Sequence, residues 1–500
     1  MKPSEDFKTR YAAAKKWRDA ARPYLEEIYR FTAPGREKDF SRAPDSTAEN
    51  DVDTFISLGE ECATDLAGDL VTYFTPAEAK WASYVVTAPV PEDSAQQVLD
   101  LVQAREQDLL DIIKSSNYAD IAPQIMFEAA THGTPAMWVE HGHLSQPIFI
   151  ETVPPHQLLI TPGHMGVLDR FREMNVLSRN LPAMFEGWDV DLSDPKIRDK
   201  IAKPGASSVC IWGFWVDWDD PNNPIWRCEV TVDGHRVTPA EPLELGPLAG
   251  SCPLLVGRFN PQPGRPWGRG PAWKALPDMR TLDKIEEVVL TGLDQSILNT
   301  IIYPDDGFLD MSNGLEPGRA YPAHRGFTRD QIYELQRGVN LDYGFFSEER
   351  LEQRIRTAFY QDGPRQRGET PPTASQWLDE RRRVQQRLGK PSAPLWTEMF
   401  YPLVQRIERL AVETGRIDAA ITHQGDVITV QPISPLQKAQ NQDQVMIARS
   451  NLELGFGVFQ EQFGEVVDQV ATFKNIVRAS GDDLTVVAEA QDEETPPPGQ

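Results

Sequence analysis

Apolar residues in the first 131 residues of the chain recur every three or four positions, the spacing of helices with one buried stripe. The segments that follow this pattern are 11–31, 53–74, 93–115 and 121–131. Pro23 lies inside the first segment and predicts a kink or a break there. His132-Gly133 ends the last segment as a glycine stop. These helices carry more apolar surface than each can bury alone, so we expect them to pack on one another or on a sheet.

The apolar stripes of the second and third segments can be named residue by residue. The second consists of Phe55, Cys62, Leu66, Leu70 and Phe74, and the third contains Val98, Val102, Leu109 and Ile113. Their regular spacing predicts that these side chains face a core.

Between residues 137 and 259 the period of the apolar positions changes to two, which is typical of strands. The strand segments are MWVEHG, PIFIETV, QLLITP, VLDRFREMNVLS, SVCIWGFWVDW, IWRCEVTV and LLVGRF. Asp233-Gly234 separates two of them and predicts a two-residue hairpin. Trp212, Trp215, Trp218 and Trp226 also lie in this region. Packing in the sheet core and subunit contacts explain these tryptophans better than base stacking does.

Helical spacing returns from Pro271 to about residue 300, through Leu282, Ile285, Val289, Leu293 and Ile297. Such a helix would be a rod about 40 Å long. A second helix is predicted over 347–360, with Ser347 as its N-cap and two glutamates in its first turn. Residues 301–344 between them contain strand-like and Gly/Pro-rich pieces, so the whole predicts a hairpin-like projection. Residues 434–480 are helical in pattern, and an acidic tail that we expect to be disordered follows.

The chain has 500 residues and a formal net charge of −25, so it is too long for one compact core and too acidic for a general nucleic-acid coat. The period changes place the fold in the α+β class. Four widely spaced cysteines (Cys62, Cys210, Cys228 and Cys252) are typical of buried, reduced thiols rather than of disulfides or a zinc site. We expect no membrane-spanning segment and no signal peptide.

No motif for catalysis or for a cofactor occurs. The sequence lacks a phosphate-binding GxxxxGK[ST] loop, a strand followed by GxGxxG, an HExxH pair and a GxSxG elbow. His141 and His143 invite a metal interpretation, but no third ligand lies nearby at a suitable spacing, which favours a surface loop. The sequence therefore predicts neither an enzyme nor a bound cofactor or metal.

A basic segment stands out against the acidic background. Residues 363–409 contain nine Lys or Arg residues and five Asp or Glu residues. The segment opens with a loop, GPRQRGETPPTA, between two helical patterns. A basic island on a loop indicates contact with a polyanion rather than a catalytic pocket.

Five collinear segments give the chain a family resemblance that covers about residues 10–480. They are DLVTYFTPAEAKWASYVV, FEAATHGTPAMWVE, PWGRGPAWKALPDMRTLDKIEE, ETPPTASQWLDERRRVQQRLGKPSAPLWTEMFYPLVQRI and SPLQKAQNQDQVMIARSNL. Each is weak alone, but together and in order they resemble the portal, or head-to-tail connecting, proteins of short-tailed bacteriophages. Ser375, Gln376 and Trp377 depart from the Glu-containing positions usual in that family.

The resemblance implies a portal-type fold with a helix-rich wing, long stem helices, a small α/β clip and a helical C-terminal crown. The implied divisions are wing 1–270, first stem helix 271–300, clip 301–344, second stem helix 345–362, tunnel loop 363–373, long wing helix and return 374–432, crown 433–482 and disordered acidic tail 483–500. It further implies a ring, usually of twelve subunits, at one capsid vertex of the virion, assembled in the host cytoplasm.

The same resemblance implies that double-stranded DNA passes through the ring during packaging and ejection. The terminase motor, the tail adaptor protein and the major capsid protein would be its other partners. Arg365 and Arg367 would be the DNA contacts of the tunnel loop, with an ordinary solvated loop as the alternative. Arg381, Arg382 and Arg383 span about 200° of a helix, so we expect intersubunit salt bridges rather than DNA contacts for this triplet.

Two other function classes remain as alternatives. A nuclease or packaging ATPase would need a metal-binding carboxylate cluster or a phosphate-binding loop, and neither is present in the sequence. A tail-tube or scaffold component without a DNA channel is the nearer alternative, because virion proteins share the acidic, Trp-rich and cofactor-free composition.

Overall fold

The structure is a computed structural model that describes most of the chain. The described residues are 2–40, 54–76, 81, 83–86, 95–143, 146–203, 205–297, 301–302, 333–334, 341–361, 387–418, 421–423, 426–428, 430–433, 448–454 and 472. They divide into two compact units. Unit 1 comprises residues 1–22, 65–270 and 382–500, and unit 2 comprises residues 23–64 and 271–381.

The helices follow the periodic segments closely. They are α1 (Glu5–Thr32), α2 (Leu58–Phe74), α3 (Ala95–Lys114), α4 (Tyr118–Ala130), α5 (Leu181–Met184), α6 (Pro195–Ile201), α7 (Pro271–Ile297), α8 (Leu341–Ala358) and α9 (Tyr401–Glu413). Helical residues 387–395 and a π-helical turn, Trp396–Phe400, run directly into α9, and residues 448–454 are also helical. α1 continues through Pro23 without a break, so the kink, the other predicted effect of this proline, stays a prediction.

The predicted stripes of α2 and α3 are confirmed apart from one residue. Cys62, Leu66, Leu70 and Phe74 are buried, as are the four stripe residues of α3. Phe55 is 48% exposed because α2 begins only at Leu58, so Phe55 lies before the helix and outside its stripe.

Most of the described strands lie in the region of period two, whereas four others, within 83–86 and 421–433, were not predicted. The strands are β1 (Ser83–Val86), β2 (Ala136–His143), β3 (Gln146–Thr152), β4 (Leu158–Pro162), β5 (Leu168–Leu177), β6 (Ser207–Asp217), β7 (Ile225–Val232), β8 (His235–Arg236), β9 (Leu243–Pro247), β10 (Leu254–Val256), β11 (Ile301–Ile302), β12 (Tyr333–Glu334), β13 (Ile421–His423), β14 (Asp426–Ile428) and β15 (Val430–Ile433). All pairings are antiparallel, which fits the predicted α+β class.

The largest sheet of unit 1 has six strands in the order β4-β5-β6-β7-β8, with β9 also paired to β7. Asp233 and Gly234 join β7 to β8 with φ angles of 49° and 75°. Positive φ at both central residues is the geometry of a type I′ hairpin turn, so the predicted hairpin is confirmed.

The first turns of α1 cover one face of this sheet. The ring of Phe7 packs edge-on against Phe171 and Trp215, with ring centroids 5.6 and 6.4 Å apart. Gly213 makes this approach possible, because a Cβ atom there would lie 2.7 Å from the ring of Phe7. Ser4 ties the start of α1 to the sheet by donating from its N–H and Oγ to the buried carboxylate of Glu229, at 2.9 and 2.6 Å.

A second, three-stranded sheet in the order β10-β2-β3 packs against α4 and α9. Arg406 of α9 is buried and donates to the backbone carbonyls of Val139, Gly250 and Ser251, each at 3.3 Å. Burial lowers the pKa of Arg406, and the negative charge of Glu140 opposes that effect. This arginine therefore joins α9, β2 and the chain before β10 through backbone acceptors.

Aromatic packing accounts for the concentration of tryptophans. Trp212, Trp215 and Trp226 are buried, and Trp212 contacts Trp138 and Trp188 with ring centroids 5.1 and 4.8 Å apart. The prediction of core packing is confirmed for these three residues. All four cysteines are free and buried, as predicted.

Candidate functional site

The contact between the two long helices of unit 2, α7 and α8, is the feature that corresponds to the predicted projection. Met279 and Leu282 of α7 and Leu351 and Ile355 of α8 are buried, which gives each helix one apolar side. Phe359 follows α8 directly and is fully buried. The amphipathic pattern read from the sequence thus places the two helices side by side.

The start of α8 differs from the sequence prediction. The helix begins at Leu341, six residues before Ser347, so Ser347 lies inside the helix and the predicted N-cap is wrong. The prediction relied on local composition alone, because a serine followed by two glutamates is typical of the first residues of a helix. The longer helix packs against α7, a contact that a local sequence pattern does not include.

Ion pairs connect α8 to the rest of unit 2. Arg354 Nη2 lies 2.9 Å from Asp278 Oδ1 of α7, and Arg356 Nη2 lies 3.6 Å from Glu61 Oε2 of α2. Both arginines are partly exposed, so each pair is worth roughly 0.2–1 kcal/mol. These ion pairs contribute little to stability, but they favour one alignment of α8 relative to α7 and α2.

Two carboxyl groups meet between the helices. The side chains of Glu286 on α7 and Glu348 on α8 share a hydrogen bond, which raises the pKa of Glu348; partial burial and the nearby charge add to that effect. A hydrogen bond between two carboxyl groups requires one of them to carry a proton. The contact is therefore sensitive to pH.

The base of α7 is held by residues that no sequence signal pointed to. Asp283 Oδ1 accepts a hydrogen bond of 2.7 Å from the backbone N–H of Phe55, and Arg30 lies 3.6 Å from the other carboxylate oxygen. Arg280 makes a bidentate pair with Glu27, and Trp273 stacks on Tyr24 with centroids 5.3 Å apart. These partners are more than 200 residues apart in the chain, beyond the reach of any local pattern.

The last described turns of α7 leave apolar surface uncovered. Val288 is 55% exposed and Leu290 is 45% exposed, although both belong to a helix whose other side is buried against α8. An amphipathic helix usually places such residues against a neighbour. This side of α7 is a candidate contact surface.

In unit 1, a close backbone contact between residues 131–134 and 268–270 directly precedes α7 in the chain. A Cβ atom on Gly133 would lie 2.1 Å from the N atom of Gly270, and one on Gly270 would lie 2.2 Å from the carbonyl oxygen of Thr131. The backbone N–H of Gly268 donates to Thr134 Oγ1 at 2.9 Å. The predicted glycine stop is confirmed here, because Gly133 follows α4 at a φ of +84°.

A buried contact between His132 and Glu128 lies next to the 131–134 segment. His132 Nε2 lies 2.8 Å from Glu128 Oε2, and both side chains are buried. The N–H of Thr134 donates to Nδ1 of the same imidazole at 3.2 Å, so the ring proton lies on Nε2 and points at the carboxylate.

The arginines predicted as site residues lie outside the described part of the chain. These are Arg365, Arg367, Arg381, Arg382 and Arg383. Their roles stay predictions. His141, considered as a metal ligand, is exposed in β2 with Nε2 3.2 Å from Glu413 Oε2.

Among the residues that the structure covers, no group of three or more His, Cys, Asp or Glu side chains is placed to hold a metal ion. Within the same residues, no helix has both the length and the hydrophobicity needed to cross a membrane.

Comparison with known proteins decides the family. The profile of the family described as bacteriophage head to tail connecting protein matches residues 4–209 and 240–481, which is most of the chain. The chain belongs to this family. The sequence resemblance to portal proteins is thereby confirmed at the level of the head-to-tail connector.

Two solved assemblies contain chains similar to this connector at low identity. A chain in the virion of a native gene transfer agent particle is 11% identical, with 87% of this chain and 90% of that chain covered and a TM-score of 0.34. A chain in the neck of an empty gene transfer agent particle, computed with C6 symmetry, is 10% identical, with coverages of 78% and 86% and a TM-score of 0.32. No curated protein matches the chain significantly.

Proposed function

We propose that this connector forms a closed ring of twelve subunits at one capsid vertex and that double-stranded DNA passes through its channel during packaging and ejection. The observation that carries the proposal is the family membership of a chain whose long helix α7 pairs with α8 and exposes Val288 and Leu290. Lateral contact between subunits would cover these two side chains.

In this proposal α7 and α8 are the stem helices. β11 follows α7 in the chain and pairs antiparallel with β12, which precedes α8. The clip, 301–344, would dock the terminase motor and later the tail adaptor protein. The wing would contact the major capsid protein.

Charge supports passage of DNA without tight binding. α7 contains five acidic and three basic residues, and α8 contains four acidic and three basic residues. DNA carries one negative charge per about 1.7 Å of helix axis, so a basic wall would hold it and a mildly acidic wall lets it slide. Arg365 and Arg367 in the tunnel loop, 363–373, would supply a few weak, replaceable phosphate contacts.

The proposed role needs no catalysis by this chain and no cofactor. Energy for packaging would come from the separate motor docked at the clip. Purified protein should therefore hydrolyse no ATP above background, whereas turnover that is lost with a point mutation in this chain would contradict the proposal.

Electron microscopy of the purified protein is the direct test. We expect rings with a central hole, and class averages should give twelvefold symmetry. A stable monomer at micromolar concentration by light scattering would contradict the ring. Stacks or filaments would instead support the alternative of a tail-tube protein.

A further inference from the structure

A surface groove of about 340 Å³ lies between the β4–β5 hairpin and the loop that follows β10 in unit 1. Prolines and one leucine form its apolar walls, and two arginines form its rim. These residues are Pro162, Leu168, Pro261, Pro263, Arg258 and Arg265. The volume is enough for one or two aliphatic side chains, and the family role described above does not use the groove.

The wall formed by the loop after β10 is held in place at two points. In the Gln262-Pro263-Gly264-Arg265 segment the N–H of Arg265 donates to the carbonyl of Gln262 at 3.1 Å, and Gly264 has a φ of +73°. Proline followed by glycine at positive φ is the composition of a type II turn, which fixes the position of Arg265. Arg258, earlier in the same loop, is bound by Glu398, with Nε 2.9 Å from Oε2. A fixed groove wall binds a partner at low entropic cost.

The two arginines differ in charge balance. Glu398 neutralises Arg258, whereas no carboxylate of the described residues makes an ion pair with the exposed side chain of Arg265. The Arg265 guanidinium lies on the rim of an apolar groove. It favours a partner that places a carboxylate beside an apolar side chain.

The tip of the β4–β5 hairpin stands at the end of the groove. Met165 is 78% exposed and adopts a φ of +52°, a left-handed conformation that costs a non-glycine residue energy. Its neighbour His164 packs edge-on against Trp218 with ring centroids 5.1 Å apart, which holds the tip in place. A flexible methionine in a fixed, strained tip is suited to covering a bound segment.

We propose that the groove binds the acidic segment 483–494 of this chain. The segment reads DLTVVAEAQDEE: aliphatic Leu484, Val486 and Val487 come first, followed by four acidic residues, and no basic residue is present. One or two of these aliphatic side chains fill the apolar groove, and a following carboxylate pairs with Arg265. Thr472 is the last described residue, and the twelve residues from it to Leu484 reach up to about 40 Å.

Photocrosslinking in the full-length protein tests this assignment. The photoreactive residue p-benzoylphenylalanine replaces Met165, and mass spectrometry identifies the peptide that it attaches to. We expect attachment to residues 483–494. Arg265→Glu should lower the yield at least fivefold, because it replaces the attraction with repulsion. Arg416→Glu, the same change at an exposed arginine of α9's C-terminal flank, should leave the yield within twofold of the parent.

A charge exchange completes the test. Changing Glu489, Asp492, Glu493 and Glu494 to lysine should abolish attachment in the parent and restore it in the Arg265→Glu protein. Circular dichroism of each variant confirms that the fold is kept. Attachment to another segment, no attachment within the chain, or equal yields for Arg265→Glu and Arg416→Glu would each overturn the proposal. Ring formation, followed by electron microscopy on the same samples, is expected in every variant.

Discussion

At the residue scale, the contact between Glu286 and Glu348 makes unit 2 responsive to pH. Its hydrogen bond raises the pKa of Glu348 in the folded state, so the folded protein holds that proton more tightly than the unfolded chain does. The contribution to stability is complete below the ordinary pKa of glutamate. It is lost as the pH rises through the raised value, because two ionised carboxylates then face each other.

Glu348→Gln should therefore stabilise the protein at pH 7 and not at pH 4. Glutamine donates a hydrogen bond to Glu286 at every pH and removes the repulsion, which is worth a few tenths of a kcal/mol for like charges on helices. We expect the thermal midpoint to rise by about 1–2 °C at pH 7 and to be unchanged at pH 4. Glu349→Gln makes the same change of net charge without removing the contact and should not reproduce the pH dependence. A rise of equal size at both pH values would exclude the shared proton.

Gly133→Ala tests the close backbone contact before α7. Gly133 and Gly205 have φ angles of +84° and +80°, so alanine is strained to a similar degree at either position. A Cβ atom meets nothing within 4 Å at Gly205 but would lie 2.1 Å from the Gly270 N atom at Gly133. We expect Gly205→Ala to cost about 1 kcal/mol and Gly133→Ala roughly 3 kcal/mol or more in the free energy of unfolding. Denaturant titration of both variants measures the difference, and equal costs would mean that strain rather than contact requires glycine.

At the element scale, the spacing of apolar residues predicted those helices and strands that bury one side of themselves in a core. α2, α3, α7 and most of the strands lie where the periods of 3.6 and two placed them. Errors arose where an element end depends on distant residues. α8 begins at Leu341 rather than at Ser347, and Phe55 falls outside α2.

The candidate site was predicted less completely than the elements. The sequence indicated two long paired helices, but the partners that hold them, such as Asp283 with the N–H of Phe55, come from segments 228 residues apart. The segment PWGRGPAWKALPDMRTLDKIEE contributes to the family resemblance, but the contact of its Gly270 with Gly133 depends on the fold. Pairing between distant segments leaves no periodic signal in either of them.

Val288→Glu tests α7 as a contact surface between subunits. The side chain is 55% exposed in the single chain, so a charge there costs the isolated fold little. If α7 packs against a neighbouring subunit, the same charge must be buried without a partner, and rings should be lost in favour of monomers. Leu101→Glu, at a 39% exposed position of α3, is the matched control and should still form rings. Light scattering and electron microscopy measure ring formation by both variants. Intact rings for Val288→Glu would place the subunit contact elsewhere.

At the scale of the whole molecule, we expect two sets of arginines to have different roles in the proposed ring. The triplet Arg381, Arg382 and Arg383 would pair with carboxylates of a neighbouring subunit, so its replacement by alanine should weaken assembly. Arg365 and Arg367 would face the channel, where twelve copies give a constriction with about twenty-four arginines. Exposed contacts of this kind are screened by salt and worth about 1 kcal/mol or less each, which suits sliding better than clamping.

The double variant Arg365→Ala with Arg367→Ala should therefore form normal rings but package less DNA or lose packaged DNA. Two glycines and three prolines in residues 363–373 give the loop hinges and stiff segments without helical continuity, so the change should leave the flanking helices in place. Ring formation is measured by electron microscopy, and the length of DNA protected from nuclease in assembled particles measures packaging and retention. Loss of rings in the double variant would make the loop a subunit contact instead. Full-length DNA, packaged and retained normally, would remove the phosphate-contact role while leaving the ring itself intact.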